Sequence, residues 1–131
     1  MRRFLVLFLA LGLGLSASAF AAPADQRHKL VVYFPSWSAE IDNNASKSID
    51  DAAKWAVDHP RDTVNVAGYA STIGSKRANA LLSDLRAQVV MDQLIAKGVP
   101  AARIKLLPKG ATTYIDSPLE SRRVDIYVDA K

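Results

Sequence analysis

The stretch from Gly68 to Val90, GYASTIGSKRANALLSDLRAQVV, decides the fold of this chain. It begins at the end of a segment with strand character, passes through a turn of small residues, and continues as a long segment with helical periodicity. Along that predicted helix, Asn79, Ser83 and Arg86 follow one another at spacings of four and three residues. At about 100° per residue they fall within a sector of roughly 60°, so an amide, a hydroxyl and a guanidinium point in one direction.

This polar sector has two interpretations. The ordinary one is a solvated stripe on the outside of the helix. The other is a site for an anion, since Leu82 and Val90 border the sector with apolar surface and Lys76 and Arg77 lie in the first helical turn, where cations oppose the helix dipole. The free N–H groups of that turn and the guanidinium of Arg86 together suit a carboxylate, which an arginine can bind through two hydrogen bonds.

The segments on either side predict one α+β domain. β-branched and aromatic residues predict strands at 29–34, 63–69, 103–107 and 122–128. Apolar residues at helical spacing predict helices at 45–59 and 75–97. The order is therefore β-α-β-α-β-β, and strands separated by helices of this length favour a two-layer sandwich, a mixed sheet with both helices packed on one face.

The helix ends and faces can also be predicted. For the first helix we expect Ser46 or Ser48 as the N-cap, and we expect His59 to stabilise the C-terminal end, where a cation favours the helix dipole. For the second helix we expect one apolar stripe, formed by Ala78, Leu82, Leu85 and Val89. Pro60 and Gly98 act as stop signals after the two helices.

The N-terminal residues predict export. Arg2 and Arg3 precede an apolar run at 4–15, and Ala19-Phe20-Ala21 fits the small-residue rule for cleavage before Ala22. The apolar run is shorter than the roughly 20 residues that a membrane-spanning helix needs. We therefore expect a signal peptide at 1–21 and a single exported, periplasmic domain at 22–131, with no transmembrane segment in the mature chain.

Composition excludes several classes of function. The chain has no cysteine, which removes disulfides, thiol chemistry and a lipid carried on an N-terminal cysteine. Its two histidines form no metal-binding motif, and it has neither a P-loop nor a G-x-S-x-G element, so neither an enzyme nor a cofactor is expected. Loss of two arginines with the signal leaves 15 Lys+Arg against 13 Asp+Glu, a charge of +2, and this does not indicate a nucleic-acid partner.

Several spaced motifs resemble the OmpA-like C-terminal domain family, the peptidoglycan-associated domains. The family pattern is G-H-T-D-x-x-G, then N-x-x-L-S-x-x-R-A, then G-[IV]-x-x-x-R-[IL], and finally N-R-R-[VI]. The matching residues are Gly68, Gly74, Asn79, Leu82, Ser83, Arg86, Ala87, Gly98, Val99, Arg103, Ile104, Arg122, Arg123 and Val124. The first strand and the segment after it also resemble the family, through Phe34, Ser38, Ala39 and Ile41.

The resemblance implies non-covalent binding of peptidoglycan through the diaminopimelate of its stem peptide. In the family, the arginine that matches Arg86 binds the ligand's carboxylate, and the aspartate of G-H-T-D receives the ammonium. Here Ser71 stands in place of that aspartate, Trp37 stands where the family usually has Asp or Asn, and Ser121 replaces the asparagine before the paired arginines. The carboxylate end of the ligand thus keeps its expected partner, and the ammonium end loses a charged one.

The expected site follows from these matches. Arg86 would bind the carboxylate, and the other members would orient the ligand or shape the pocket: Asn79, Ser83, Ser71, Thr72, Trp37, Ser121 and Arg122. The alternative hypothesis is a degenerate relative that keeps the scaffold for protein–protein contact in the periplasm, with weak peptidoglycan binding or none. Under the peptidoglycan-binding hypothesis, attachment to the outer membrane would need a partner among the envelope proteins; otherwise the protein would bind the wall as a free periplasmic protein.

Overall fold

Four strands and two helices alternate in the order β-α-β-α-β-β in the computed structural model, which describes residues 27–111 and 118–129. The elements are β1 (Arg27–Tyr33), α1 (Asn43–Asp58), β2 (Thr63–Ala70), α2 (Lys76–Ala96), β3 (Ile104–Ala111) and β4 (Arg123–Asp129). Short 3-10 turns precede the last two strands, at Ala101–Arg103 and Pro118–Ser121. The predicted element order is confirmed, and the predicted signal peptide at 1–21 lies outside the described residues.

The strands form one mixed sheet in the order β1-β4-β2-β3. β4 runs antiparallel to both of its neighbours, and β2 and β3 run parallel, with α2 as the crossover between them. The two helices contact each other and share one apolar core with the sheet, which places both on the same face. The predicted α+β class is confirmed. Neither described helix has the length and apolar character that crossing a bilayer requires.

Helix α1 begins earlier than its apolar pattern indicates. Its N-cap is Asp42, whose carboxylate accepts a hydrogen bond of 2.7 Å from the N–H of Ala45. The prediction of Ser46 or Ser48 was wrong, because both lie inside the helix. At the other end, His59 is the C-cap, and its Nδ1 lies 2.8 Å from the carbonyl oxygen of Trp55, which confirms the capping role.

Helix α2 packs on the sheet through a different face from the predicted one. Its buried residues are Asn79, Ser83, Arg86, Ala87, Val90 and Leu94. The predicted apolar stripe was wrong, since Leu85 is 53% exposed. The solvated-stripe interpretation was also wrong, since the three polar side chains of the sector are at most 1% exposed.

A close approach between β2 and α2 explains this packing. Gly68 lies directly under the helix, and a Cβ at this position would overlap the carbonyl oxygen of Ser83. Because glycine has no side chain, the helix backbone can rest against the strand at this point. The face of α2 that packs on the sheet carries polar side chains toward its N-terminal end and the apolar side chains of Val90 and Leu94 toward its C-terminal end.

Strand β3 is longer than predicted. The sequence pattern ended it at Leu107 and assigned a loop from Pro108, but pairing with β2 continues to Ala111. The register shifts between Gly68 and Tyr69, opposite the Pro108–Gly110 segment. β3 is an edge strand, where a proline and a glycine are tolerated because one side of the strand needs no partner.

Candidate functional site

A cavity of about 100 Å³ lies beyond the C-terminal end of β2, beside the first turns of α2 and the 3-10 turn before β4. Its lining residues are Ser36, Trp37, Ser71, Ile73, Asn79, Leu82, Arg86, Ser121 and Arg122. Six of the eight predicted site residues therefore meet at this cavity. The two others, Ser83 and Thr72, are not among the lining residues.

Arg86 crosses from α2 to two other parts of the chain. Its Nε donates to the carbonyl oxygen of Ser38 at 2.8 Å, Nη2 donates to that of Pro35 at 3.0 Å, and Nη1 donates to that of Tyr69 at 3.3 Å. Its Cζ lies 5.3 Å from the ring centroid of Phe34, in a cation–π arrangement. Arg86 thus ties the β1–α1 connection to the end of β2, and it is part of the core as well as of the cavity wall.

The electrostatic setting of Arg86 is unusual for a buried cation. Burial lowers its pKa to about 10, with a further contribution from the positive charge of Arg122. Arg86 still carries its charge near neutral pH. Arg122 is half-buried at the cavity, and its Nε donates to the carbonyl oxygen of Phe34 at 3.3 Å. Among the described residues that line the cavity, none carries a carboxylate.

Asn79 and Ser71 shape the turn that closes one side of the cavity. The amide nitrogen of Asn79 donates to the carbonyl oxygens of Ile73 at 2.8 Å and Ser75 at 2.9 Å. The hydroxyl of Ser71 accepts a hydrogen bond of 3.0 Å from the N–H of Ile73. These contacts fix the turn between β2 and α2, so both side chains act first on the backbone around the cavity.

Trp37 forms the outer wall. It is 57% exposed and has a φ of +52°, which is uncommon for a bulky residue. Its indole lies against Gly74, where an added Cβ would be 3.2 Å from the ring. Gly74 itself has a φ of +86°, so the absence of a side chain there serves both the turn and the position of the indole.

Ser83 and Thr72 do not line the cavity. The hydroxyl of Ser83 donates to the carbonyl oxygen of Ala80 at 2.9 Å and accepts from the N–H of Gly110 at 3.0 Å, so it joins α2 to the end of β3. Thr72 is exposed in the turn. Lys76 and Arg77 line a separate surface depression near Gly110, so the basic first turn of α2 is not part of the cavity described above.

Three lining residues were missed by the sequence analysis: Ser36, Ile73 and Leu82. Ile73 lies inside the Gly68–Gly74 turn and is 65% exposed, so its position in that motif was a usable signal. Ser36 gave no signal of its own, because its place at the cavity depends on the path of the connection after β1. No group of three or more acidic or histidine side chains suited to a metal ion occurs within 27–111 and 118–129.

Arg103 is a useful contrast to Arg86. Its guanidinium donates to the carbonyl oxygens of Ala56 at 2.9 Å, His59 at 2.8 Å and Asp62 at 3.0 Å. It lies immediately before β3, at the opposite end of the sheet from the cavity. Both arginines match the motifs quoted above, and both join distant backbone segments, but only Arg86 also lines the cavity.

Comparisons with known proteins agree on one family. The family model described as "OmpA family" matches residues 33–123. The peptidoglycan-associated lipoprotein of Rhizobium meliloti is 31% identical over 106 residues, which cover 77% of this chain and 60% of that protein. The probable lipoprotein YiaD of Escherichia coli is 31% identical over 101 residues, which cover 72% of this chain and 46% of that protein. The chain therefore spans only part of the length of these relatives.

Solved structures show the same fold. The C-terminal domain of Helicobacter pylori MotB superimposes with a TM-score of 0.68 at 26% identity, covering 77% of this chain and 84% of that domain. The peptidoglycan-associated lipoprotein of Burkholderia pseudomallei superimposes with a TM-score of 0.68 at 23% identity, covering 75% of this chain and 89% of that one. The family model spans α1, β2, α2 and β3 in full and reaches the last residue of β1 and the first residue of β4. The chain is a member of the OmpA family.

Proposed function

We propose that this protein binds peptidoglycan non-covalently in the bacterial envelope, through the diaminopimelate carboxylate of the stem peptide, and that it catalyses no reaction. The observation that carries this proposal is the pair of guanidinium groups, Arg86 and Arg122, at one cavity whose described lining includes no carboxylate. A buried charge is costly unless it is paired, so such a cavity favours an anionic ligand. The names of two relatives, both peptidoglycan-associated lipoproteins, support peptidoglycan as the source of that anion.

Arg86 retains the capacity to bind a ligand. A guanidinium has five N–H groups, and the hydrogen bonds identified within the described residues use three of them. The remaining two, with those of Arg122, are the donors that we assign to the carboxylate. The contacts to Pro35, Ser38 and Tyr69 hold the guanidinium in one orientation, so binding requires little reorganisation.

The other predicted residues take supporting roles in this proposal. Trp37 provides an apolar wall, Ser121 completes the side next to Arg122, and Ser71 and Asn79 hold the turn in place. Ser83 acts at a distance, by joining α2 to β3. The exposed Thr72 could contact only a ligand that extends beyond the cavity.

The proposal places the protein in the periplasm, associated with the cell wall or the outer membrane. It includes cleavage after the signal at 1–21 and a mature domain at 22–131, because the export pattern precedes the domain that the family model matches. The name of the Rhizobium meliloti relative, a peptidoglycan-associated lipoprotein, supports a location at the cell wall. Contact with other envelope proteins is also part of the proposal.

Sedimentation with purified sacculi tests the proposal. The wild-type protein should pellet with sacculi and stay in the supernatant without them. Arg122→Gln removes one charge from the cavity and should weaken binding about ten- to a hundredfold, the usual effect of losing a charge-assisted hydrogen bond of about 1.5–3 kcal/mol. Arg86→Lys should weaken binding by a similar factor, because an ammonium cannot replace the bidentate hydrogen bonding of a guanidinium.

Arg103→Lys is the matched control, since it removes a guanidinium that also joins three backbone carbonyls but lies far from the cavity. This variant should pellet as the wild type does, with thermal unfolding used to confirm that all variants are folded. If the wild type remains in the supernatant, the peptidoglycan proposal is wrong, and the scaffold hypothesis with weak or no binding replaces it. If Arg86→Lys and Arg103→Lys pellet equally, the cavity is not the binding site.

A further inference from the structure

The described lining of the cavity has positive charge and no negative charge. Arg86 and Arg122 supply the two guanidiniums, and the remaining polar lining residues are neutral: Ser36, Ser71, Asn79 and Ser121. Arg86 is 1% exposed, so its charge is poorly screened by water. Among the described lining residues, a second charge that a ligand brings close to the carboxylate therefore meets neutral polar groups alone.

Two of those neutral groups, Ser71 and Asn79, are already engaged in the turn between β2 and α2. The Ser71 hydroxyl accepts from the N–H of Ile73, and the Asn79 amide nitrogen donates to the carbonyl oxygens of Ile73 and Ser75. An ammonium needs acceptors, and a serine oxygen that already holds a backbone N–H offers only part of its capacity. Trp37 can attract a cation through its ring, but a ring quadrupole at a 57% exposed side chain is a weaker partner than a carboxylate.

Amino-acid carboxylates occur in two chemical forms that differ in charge next to the carboxyl group. Where the nitrogen on the adjacent carbon is free, it is an ammonium a few ångströms from the carboxylate. Where that nitrogen is acylated, it is a neutral amide N–H. A carboxylate bound between two guanidiniums brings its neighbouring nitrogen into their field, so the first form is repelled and the second is not.

We propose that this cavity selects carboxylates whose neighbouring nitrogen is acylated over zwitterionic ones, an inference that rests on the peptidoglycan-binding function proposed above. In peptidoglycan, this class includes a terminal D-alanine and a diaminopimelate whose distal amine is acylated in a cross-link. It leaves out a diaminopimelate whose distal amine is free. The protein would thus distinguish cross-linked from unlinked stem peptides, or bind their termini.

Nuclear magnetic resonance titration with two small probes tests the class of ligand. N-acetyl-D-alanine and D-alanine differ at the nitrogen only, and the acetylated probe should bind about three- to tenfold more tightly, corresponding to about 0.7–1.4 kcal/mol. The shifted resonances should be those of the Arg86 Nε–H and the Trp37 indole. Equal affinity for the two probes, or shifts confined to Lys76 and Arg77, would overturn the inference.

A pair of variants at Ser71 distinguishes the effect of charge on ligand preference from the effect of side-chain shape. In Ser71→Asp and Ser71→Asn, the new side chain can accept the Ile73 N–H as the serine does, but only the first adds a negative charge. Ser71→Asp should abolish or reverse the preference for the acetylated probe, and Ser71→Asn should retain it. The same preference in both variants would show that the charge balance of the cavity does not set it.

The source of the carboxylate is found with a second pair of probes. These are stem tetrapeptides with an amidated terminal D-alanine and a distal diaminopimelate amine that is either free or acetylated. Tighter binding of the acetylated peptide assigns the site to cross-linked diaminopimelate, whereas equal binding, with the alanine preference intact, assigns it to the peptide terminus. If sacculi pellet with the protein but the alanine probes bind equally, only this inference fails. If the preference holds but sacculi do not bind, the peptidoglycan function fails instead.

Discussion

Replacement of Arg86 by alanine should cost stability as well as binding. The side chain is 1% exposed and holds the carbonyl oxygens of Pro35, Ser38 and Tyr69. The substitution removes three hydrogen bonds from a charged donor, although the carbonyl oxygen of Pro35 also accepts from the N–H of Ser38 at 3.3 Å. A hydrogen bond of this kind contributes about 1 kcal/mol to stability. We therefore expect Arg86→Ala to lower the free energy of unfolding by about 3 kcal/mol.

The measurement is urea unfolding followed by circular dichroism, with thermal unfolding as a second readout. For a domain of this size, about 3 kcal/mol corresponds to a decrease in Tm of roughly 12–24 °C. Arg77→Ala is the matched control, because Arg77 is an exposed arginine one residue into the same helix and has no contact of this kind among the described residues. Its unfolding free energy should change by less than about 0.5 kcal/mol.

The pH dependence gives an independent check. Burial lowers the pKa of Arg86 from its ordinary value to about 10, so folding disfavours the charged form. The unfolding free energy of the wild type should therefore gain a contribution as the pH rises through about 10 toward the unfolded pKa, and Arg86→Ala should lack it. If Arg86→Ala is as stable as Arg77→Ala, Arg86 is not a structural anchor, and the reasoning from its three carbonyl contacts is refuted.

Three further substitutions test the scaffold around the cavity. Gly68→Ala should destabilise by about 1–3 kcal/mol in urea unfolding, because the new methyl group overlaps the Ser83 carbonyl; an unchanged midpoint would contradict the close packing of helix on strand. Asp42→Ala should cost about 1 kcal/mol through the lost N-cap, with Asp42→Asn as the tolerated control. Burial and Asp125 raise the pKa of Tyr127, so its contribution to stability is complete below about pH 10 and declines as the pH rises further. Tyr127→Phe should therefore remove that decline in the free energy of unfolding at alkaline pH. Urea unfolding measured at a series of pH values tests this.

The element order could be predicted from the sequence because it depends on local periodicity. Strand-like alternation and helical spacing are properties of neighbouring residues, and the stop signals after both helices lie within a few residues of their ends. The errors arose where local signals compete. Asp42, Ser46 and Ser48 are all of residue types that favour the N-cap position. The apolar pattern that could distinguish among them starts only at Ile49. The extension of β3 through Pro108 was hidden because pairing with β2, a distant segment, overrides a local turn signal.

The candidate site was also predicted only in part from local sequence patterns. The motifs alone placed six residues that meet at one cavity, and the helical angle alone brought Asn79 and Arg86 to one side of α2. The sequence also determined that Ser71 contributes no charge, since a serine is neutral whatever its environment. These local patterns do not predict how deeply the polar sector is buried.

Only the tertiary structure decided that Arg86 is an internal anchor as well as a residue that lines the cavity. Its acceptors on Pro35 and Ser38 are 51 and 48 residues away along the chain, and no spacing rule connects them to the helix. The missing side chain at Gly68 brings α2 onto the sheet, which turns the polar sector inward and away from water. A buried side chain must find its hydrogen-bond partners within the fold, so its role depends on contacts that form only when distant segments pack together.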